Sequence, residues 1–508
     1  MSATEALEGS SGSSDATSRH LRGSSALLAG RLLALAVDFA VHVIIVRYLT
    51  KQDYGAFSYA LAVASLLSTV VVLGLPETLG RFVPVFQERR AGGRLLGAVL
   101  IALAIVTGVG LLCVLVVVGA EDLVSGALAS ADASVLLAIL ILLVPLDGVN
   151  LVLQSLFAAL GRVRAIFLRQ YVIVPGLRLI VAIALVSADG GAQFLAIGWV
   201  STSAAGLLFY GALAGGSLRS ALRRRTARIE WPVREIVGFA VPVFLTNVFW
   251  IVLLAFSTIA LGVMVGESDV AEFQAVLPPA RLNYLALAIF AILFLPTIAR
   301  QHEQKRFDDL RQTYIATTMW LVVLTFPIFA LTTVFAPEFV ATFFGAEYET
   351  SGLVLILLAA GYYVHTAAGP NSATLKVFRQ LRYTVVIDLL ALAFGIALNL
   401  ALIPVAGATG AAAAFLGALI GRNLPYLWAL KRIAGISLLT ADYLRVQAAI
   451  VVALAALLAL REVLAPGLAI AVALTGVAGL CVLAVGRRAL LLSETFPELR
   501  RGPLGRFL

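Results

Sequence analysis

Three ionisable residues, Arg31, Asp38 and His42, stand in a stretch that is otherwise almost wholly apolar. At about 100° per residue, Asp38 and His42 fall within about 20° of Arg31 on opposite sides, so a helix would carry all three on one stripe. A charged side chain at bilayer depth costs at least about 2.5–3.5 kcal/mol, and such residues normally face a bundle interior or a wet cavity. The chemistry this suggests is a cavity wall. Arg31 would grip an anion, and Asp38 and His42 would carry a proton or a cation. The competing reading is an Arg–Asp–His network that only joins helices.

Other polar residues recur in the same setting. Asp147, Asn150 and Gln154 share a face of one apolar segment, and Asp388 and Asn399 share a face of another. For these, hydrogen bonding between helices competes with a role in ion uptake or substrate contact. Arg178, Arg281 and Arg422 also lie within apolar segments. Arginine suits phosphate because its planar fork donates two parallel charge-assisted bonds. Arg281 follows Pro278-Pro279, where a break in a helix would expose backbone groups to a cavity. Arg422 is expected to lie near the inner face and to snorkel to the headgroups. His365 and Asn371 flank Gly369-Pro370, a second expected kink. The resulting substrate-contact set is Arg31, Arg281, Arg178, Asn150 and Gln154. The ion or proton set is Asp38, His42, Asp147 and Asp388.

The elements that would position these residues follow from composition. Hydrophobic residues make up 61% of 508 residues and charged residues 13%, against about 45–50% and about 25% in a soluble globular chain. Mean hydropathy is +1.01. Apolar segments long enough to span a bilayer, about 20 residues each, recur from 25–46 to 466–486. The expected fold is an all-α integral membrane protein with about fourteen transmembrane helices. The net charge of +9 does not point to nucleic acid, because the basic residues sit in short loops between apolar segments. They read as topology signals and contacts to anionic membrane lipids. Cys113 and Cys481 are the only cysteines, which excludes a disulfide framework or a cysteine-based metal site.

Thirty of the 37 basic residues fall in one alternate set of loops and tails, and three in the other. That split places both termini in the cytoplasm. The expected domains are a disordered tail over 1–23, an N-lobe over 24–215 and a basic cytoplasmic linker over 216–235. A C-lobe over 236–435, two further helices over 436–486 and a cytoplasmic tail over 487–508 follow. Cysteine labelling of intact cells should succeed at position 126 and fail at position 226. Labelling at 226 from outside would reverse the orientation.

An internal repeat relates the two lobes. Asp53-Tyr54-Gly55-Ala56-Phe57 is echoed by Asp269-Val270-Ala271-Glu272-Phe273, Leu75-Pro76 by Leu295-Pro296, and the basic turn at Arg162 by that at Arg379. The offsets are about 216–220 residues. Six helices separate equivalent positions, so the repeats are parallel, as in rocking transporters with a site between two halves.

No phosphate-binding loop supports direct use of ATP, and no outer domain or acidic motif supports a glycosyltransferase. The chain therefore reads as a non-enzyme, with no cofactor and no metal. The segment Arg47-Tyr48-Leu49-Thr50-Lys51-Gln52-Asp53-Tyr54-Gly55-Ala56-Phe57, with Leu73-Gly74-Leu75 and Arg81-Phe82, resembles the opening of Wzx-type polysaccharide flippases. These belong to the multidrug/oligosaccharidyl-lipid/polysaccharide exporter superfamily. Phe239-Ala240-Val241-Pro242 and Leu402-Ile403-Pro404-Val405-Ala406-Gly407-Ala408-Thr409-Gly410-Ala411-Ala412-Ala413 fit the same family. The resemblance implies two six-helix lobes around a central cavity, plus two C-terminal helices. It also implies transfer of a lipid-linked oligosaccharide to the outer leaflet of the cell membrane, and it allows polysaccharide polymerase or glycosyltransferase partners. A small-molecule or multidrug exporter of the same superfamily, or a membrane scaffold for polysaccharide enzymes, are the alternatives.

Overall fold

The computed structural model describes residues 30–119, 130–223, 229–487 and 490. The tail over 1–23, residues 121–129 of the expected outer loop, Arg224, Arg225 and Arg228 of the linker, and the arginines from Arg488 onward lie outside the described residues.

Every regular element among the described residues is a helix. That is what hydrocarbon demands, since each backbone N–H and C=O must be satisfied within its own segment. Among the described residues, ten helices are long and apolar enough to cross a membrane, or eleven when the bent pair Glu267–Ala291 and Phe294–Glu303 counts as one span. The 54-residue helix Leu381–Ala434 is two spans joined at Gly407, whose φ of 51° and ψ of −131° are non-helical. Counting it as two, and adding the helices over 30–48 and Val233–Met264, gives fourteen helical segments among the described residues. Side chains such as Leu208 and Val463, 74% and 81% exposed, suit lipid and would be costly in water.

Polar side chains mark several helix starts. The Ser130 hydroxyl accepts from the Ala133 N–H at 3.0 Å, Thr440 from Tyr443 at 3.2 Å, and Thr50 from Asp53 at 3.1 Å. Each satisfies a donor that the first turn leaves without an intrahelical partner.

One expectation about local geometry is corrected. Pro278-Pro279 does not break its helix, which runs from Glu267 to Glu303. Ala275, Val276 and Ala280 around the prolines are fully buried, and this packing holds the turn. The bend falls between Ala291 and Phe294. Arg169 lies inside a π-helical turn over Leu168–Ile173 that continues into the helix Val174–Ser187. Pro175 follows two residues after that turn. A proline lacks an N–H and crowds the carbonyl four residues earlier, here that of Tyr171, and the wider turn lies next to that crowding. Gly369-Pro370 does interrupt its helix, between Ser351–Ala367 and Asn371–Val377.

The chain forms two compact units. One comprises Met1–Leu49 with Val63–Phe244, the other Thr50–Ala62 with Leu245–Leu508. The first has a core of Leu75, Leu79, Phe86, Val106, Val144, Phe157 and Tyr210. The second is built around Tyr314, Phe326, Phe335, Tyr426 and Ile450, with Ala471 and Val482 of the last helix. That last helix comes close enough that a Cβ on Gly479 would lie 2.6 Å from Pro327.

The sequence repeat is also visible in the turns. In the first unit Arg90 and Gly161 adopt φ of 54° and 69°. The N–H that follows each bonds back across the turn, Ala91 to the Phe86 carbonyl and Arg162 to that of Phe157, both at 2.8 Å. In the second unit Lys305 and Arg379 adopt φ of 57° and 59°. There Arg306 bonds the Gln301 carbonyl at 2.9 Å and Gln380 that of Leu375 at 3.0 Å. All four are the same left-handed helix terminus, a Schellman motif.

Candidate functional site

In the second unit an ion pair sits where the sequence suggested a headgroup contact. Arg422 is 3% exposed, and its Nε donates to Asp388 Oδ1 at 2.8 Å. The Tyr426 hydroxyl donates to the same oxygen at 2.9 Å. The guanidinium lies 4.9 Å from the Phe249 ring, 5.5 Å from Trp250 and 4.9 Å from Tyr426. Snorkelling of Arg422 is thereby corrected, because an acid one helix away offers a closer counter-charge than the headgroups. Arg422 Nη1 has no hydrogen-bond partner. In this conformation Asp388 is committed to Arg422 and Tyr426, the helix-joining arrangement. Asn399, on the same face, is also buried and donates to the Gly395 carbonyl at 2.8 Å.

Next to this pair, His365 Nδ1 lies 3.1 Å from Asn423 Oδ1, which also accepts from Asn371 at 2.8 Å. His365 packs against Trp250 at 5.0 Å and Tyr284 at 5.7 Å. Trp250 and Tyr284 are 5.8 Å apart, and Tyr362 lies within 6.4 Å of both. Arg281 is exposed and acts electrostatically on the Tyr362 hydroxyl. It stands 14 residues into its helix, ~21 Å along the axis at 1.5 Å per residue. The site therefore runs from an exposed arginine deep in a spanning helix, through four aromatic or imidazole rings, to a closed ion pair.

In the first unit Asp147 accepts from the Ser203 hydroxyl. Asn150 is buried and donates to the Ser203 carbonyl and hydroxyl, each at 3.3 Å. Gln154 donates to Gln170 at 3.4 Å. The first two contacts tie the helix Leu143–Ala159 to Ala192–Arg223. Arg169 lies 4.7 Å from the Tyr210 ring and Arg178 5.3 Å from that of Trp199. Arg178 also acts electrostatically on Asp38, which is exposed, while Arg31 and His42 on the same helix are half-buried. The structure thus groups Asp38 with Arg178, and Asp147 with Asn150, in one unit, and Asp388 with Arg422 in the other. Among the described residues no three His, Cys, Asp or Glu side chains are placed to hold a metal ion.

Sequence reasoning missed Trp250, Tyr284 and Tyr362. A spacing signal existed, since Arg281 and Tyr284 are three residues apart and share a helix face. Aromatic residues within apolar segments, however, read first as lipid-facing or core.

The sequence profile of the family described as polysaccharide biosynthesis protein matches residues 20–302. No curated protein sequence matches the chain. Among solved structures, the fold resembles the lipid II flippase MurJ in its inward closed conformation. Identity is 14%, the match covers 92% of this chain and 99% of that one, and the TM-score is 0.69. It also resembles a multidrug resistance MATE family transporter of the MOP superfamily in an inward-facing conformation, at 14% identity and TM-score 0.65, covering 79% of this chain and 95% of that one. An outward-facing MATE structure of the same superfamily matches at 15% identity and TM-score 0.53, covering 80% and 95%. At these identities the likeness establishes the fold.

Proposed function

Because the chain belongs to the polysaccharide biosynthesis protein family, we propose that it flips a lipid-linked oligosaccharide from the cytoplasmic to the outer leaflet of the cell membrane by alternating access. Its fold is that of multi-pass membrane transporters and flippases of the MOP superfamily, not of catalysts. The observation that carries the substrate reading is Arg281, exposed deep within a spanning helix. An arginine cannot stay exposed to hydrocarbon at that depth without a large cost, so it faces water or an anion. The phosphate or pyrophosphate that joins an oligosaccharide to its lipid is such an anion, and a guanidinium binds it through two parallel bonds. MurJ, described as a lipid II flippase, and MATE structures described as inward-facing and outward-facing support a lipid-linked substrate and alternating access. The excess of basic residues in one set of loops supports cytoplasmic termini.

The test is flipping of polyprenyl pyrophosphate-linked glycans by the purified protein in liposomes. Arg281→Gln should slow flipping by at least about tenfold, the loss of roughly one charge-assisted pair. Arg281→Lys should retain part of the rate, because charge remains while the fork is lost. An unchanged rate in Arg281→Gln would remove this residue from substrate handling. The MATE matches favour a second reading, export of small molecules. Accumulation of cationic dyes by the wild-type protein, with no glycolipid flipping, would establish it instead.

A further inference from the structure

The phosphate reading uses Arg281 and leaves the rings beside it without a role. Trp250 and Tyr284 are half-buried. Both are held in place by neighbouring side chains. Trp250 is edge-on to Phe249 at 5.4 Å and to His365 at 5.0 Å, and lies parallel to Tyr362 within 2° at 6.4 Å. Tyr284 stacks on His365 at 5.7 Å with 23° between the planes. His365 is in turn fixed by Asn423, and the Arg422 guanidinium, paired with Asp388, lies over the Trp250 ring at 5.5 Å. Arg281 and Tyr284 stand one turn apart on one helix face. The result is a rigid aromatic surface with a cation at its edge.

We propose that Trp250 and Tyr284 form a stacking surface for a sugar ring of the translocated glycolipid, while Arg281 takes an anionic group of the same molecule. This rests on the flippase reading and specifies how the glycan part is recognised. An aromatic face carries the negative end of the ring quadrupole. The C–H bonds on one face of a pyranose present the complementary positive charge, and the hydroxyls at its rim are left for hydrogen bonding. A polyprenyl chain has no such faces and gains nothing specific here. A cationic drug would suit the rings alone, but Arg281 beside them repels it. Ring stacking with the exposed Arg281 nearby selects a ligand that is ring-bearing and anionic, which describes a sugar close to a phosphate or bearing a carboxylate. The rigid backing lowers the ordering cost that a mobile aromatic would incur on binding.

The experiment measures equilibrium binding to the full-length protein in nanodiscs. Two probes are used, polyprenyl pyrophosphate and the same lipid carrying a disaccharide. Wild type should prefer the glycosylated probe. Trp250→Leu and Tyr284→Leu should each weaken that probe by about five- to tenfold, the scale of one ring contact, and leave the bare pyrophosphate unchanged. Trp250→Phe should retain most of the preference. Arg281→Gln should weaken both probes. Retained binding of the bare probe shows that a leucine variant is folded. Equal affinity of wild type for the two probes, or parallel loss of both in Trp250→Leu and Tyr284→Leu, would overturn the stacking surface. Binding of neither probe by wild type would instead overturn the flippase reading on which it rests.

Discussion

Arg422→Met is expected to destabilise the purified protein by about 3–5 kcal/mol, because removing one partner of a buried ion pair leaves the other charge uncompensated. The pair is closed to solvent, with side-chain exposures of 4% and 6%. Asp388 would keep the Tyr426 hydroxyl at 2.9 Å and the more distant charge of Lys376. Methionine preserves length and packing against Phe249, Trp250 and Tyr426, so the loss reports charge and not volume. Asp388→Asn together with Arg422→Met removes both charges, and this double variant should recover most of the loss. Equilibrium unfolding in detergent measures all of these variants. A loss below about 1 kcal/mol, the scale of an exposed pair, would show that the pair is solvated in the membrane-embedded protein. The pair is a structural clamp in this reading. Its two residues lie 34 apart in sequence, on either side of the break at Gly407, so it fixes the two halves of that long helical hairpin side by side.

Gly407→Ala is expected to have the second largest effect. The positive φ of 51° lies where an L-residue is strained, which costs about 1–3 kcal/mol. The space is also taken, since a Cβ would stand 2.1 Å from Asp269 Oδ1. That carboxylate accepts from the Ala408 N–H at 2.8 Å and satisfies a donor at the turn. Displacing it adds the cost of an unmet donor, about 1–3 kcal/mol. The variant should therefore give little folded protein, with a clear drop in thermal stability of what remains. Asp269→Ala alone should cost less, because it loses the bond without straining the backbone. Combining the two relieves the collision and should be milder than the sum of the single changes. Strict additivity would show that the carboxylate moves aside freely.

Asp269 also shows what the repeat meant. In the sequence it is only the counterpart of Asp53. In the structure both acids stand at the first turn of a helix that opens the same position in each repeat, Lys51–Val72 and Glu267–Glu303. They solve different local problems there. Asp53 pairs with the Thr50 hydroxyl at 2.8 Å, whereas Asp269 reaches across to the turn at Ala408. The equivalence was legible as spacing, and the bond partners were not.

The sequence by itself determined that this is a polytopic helical membrane protein, where its spans fall, and that its two halves repeat. The reason is that hydrocarbon leaves the backbone no choice but internal hydrogen bonding, so a linear run of apolar residues already specifies a helix. Turn residues added the break at Gly369-Pro370, because positive φ and a missing N–H act locally. Only the tertiary structure decided that Arg422 meets Asp388 instead of the headgroups, that Arg169 sits inside a π-turn, and that Pro278-Pro279 leaves its helix unbroken. It alone brought Trp250, Tyr284, Tyr362 and His365 together from three helices. These outcomes depend on how each helix is rotated and how far it slides against its neighbours. A span that is apolar on every side carries little periodic signal for its rotation, and between such helices rotation is fixed by close packing and a few polar contacts.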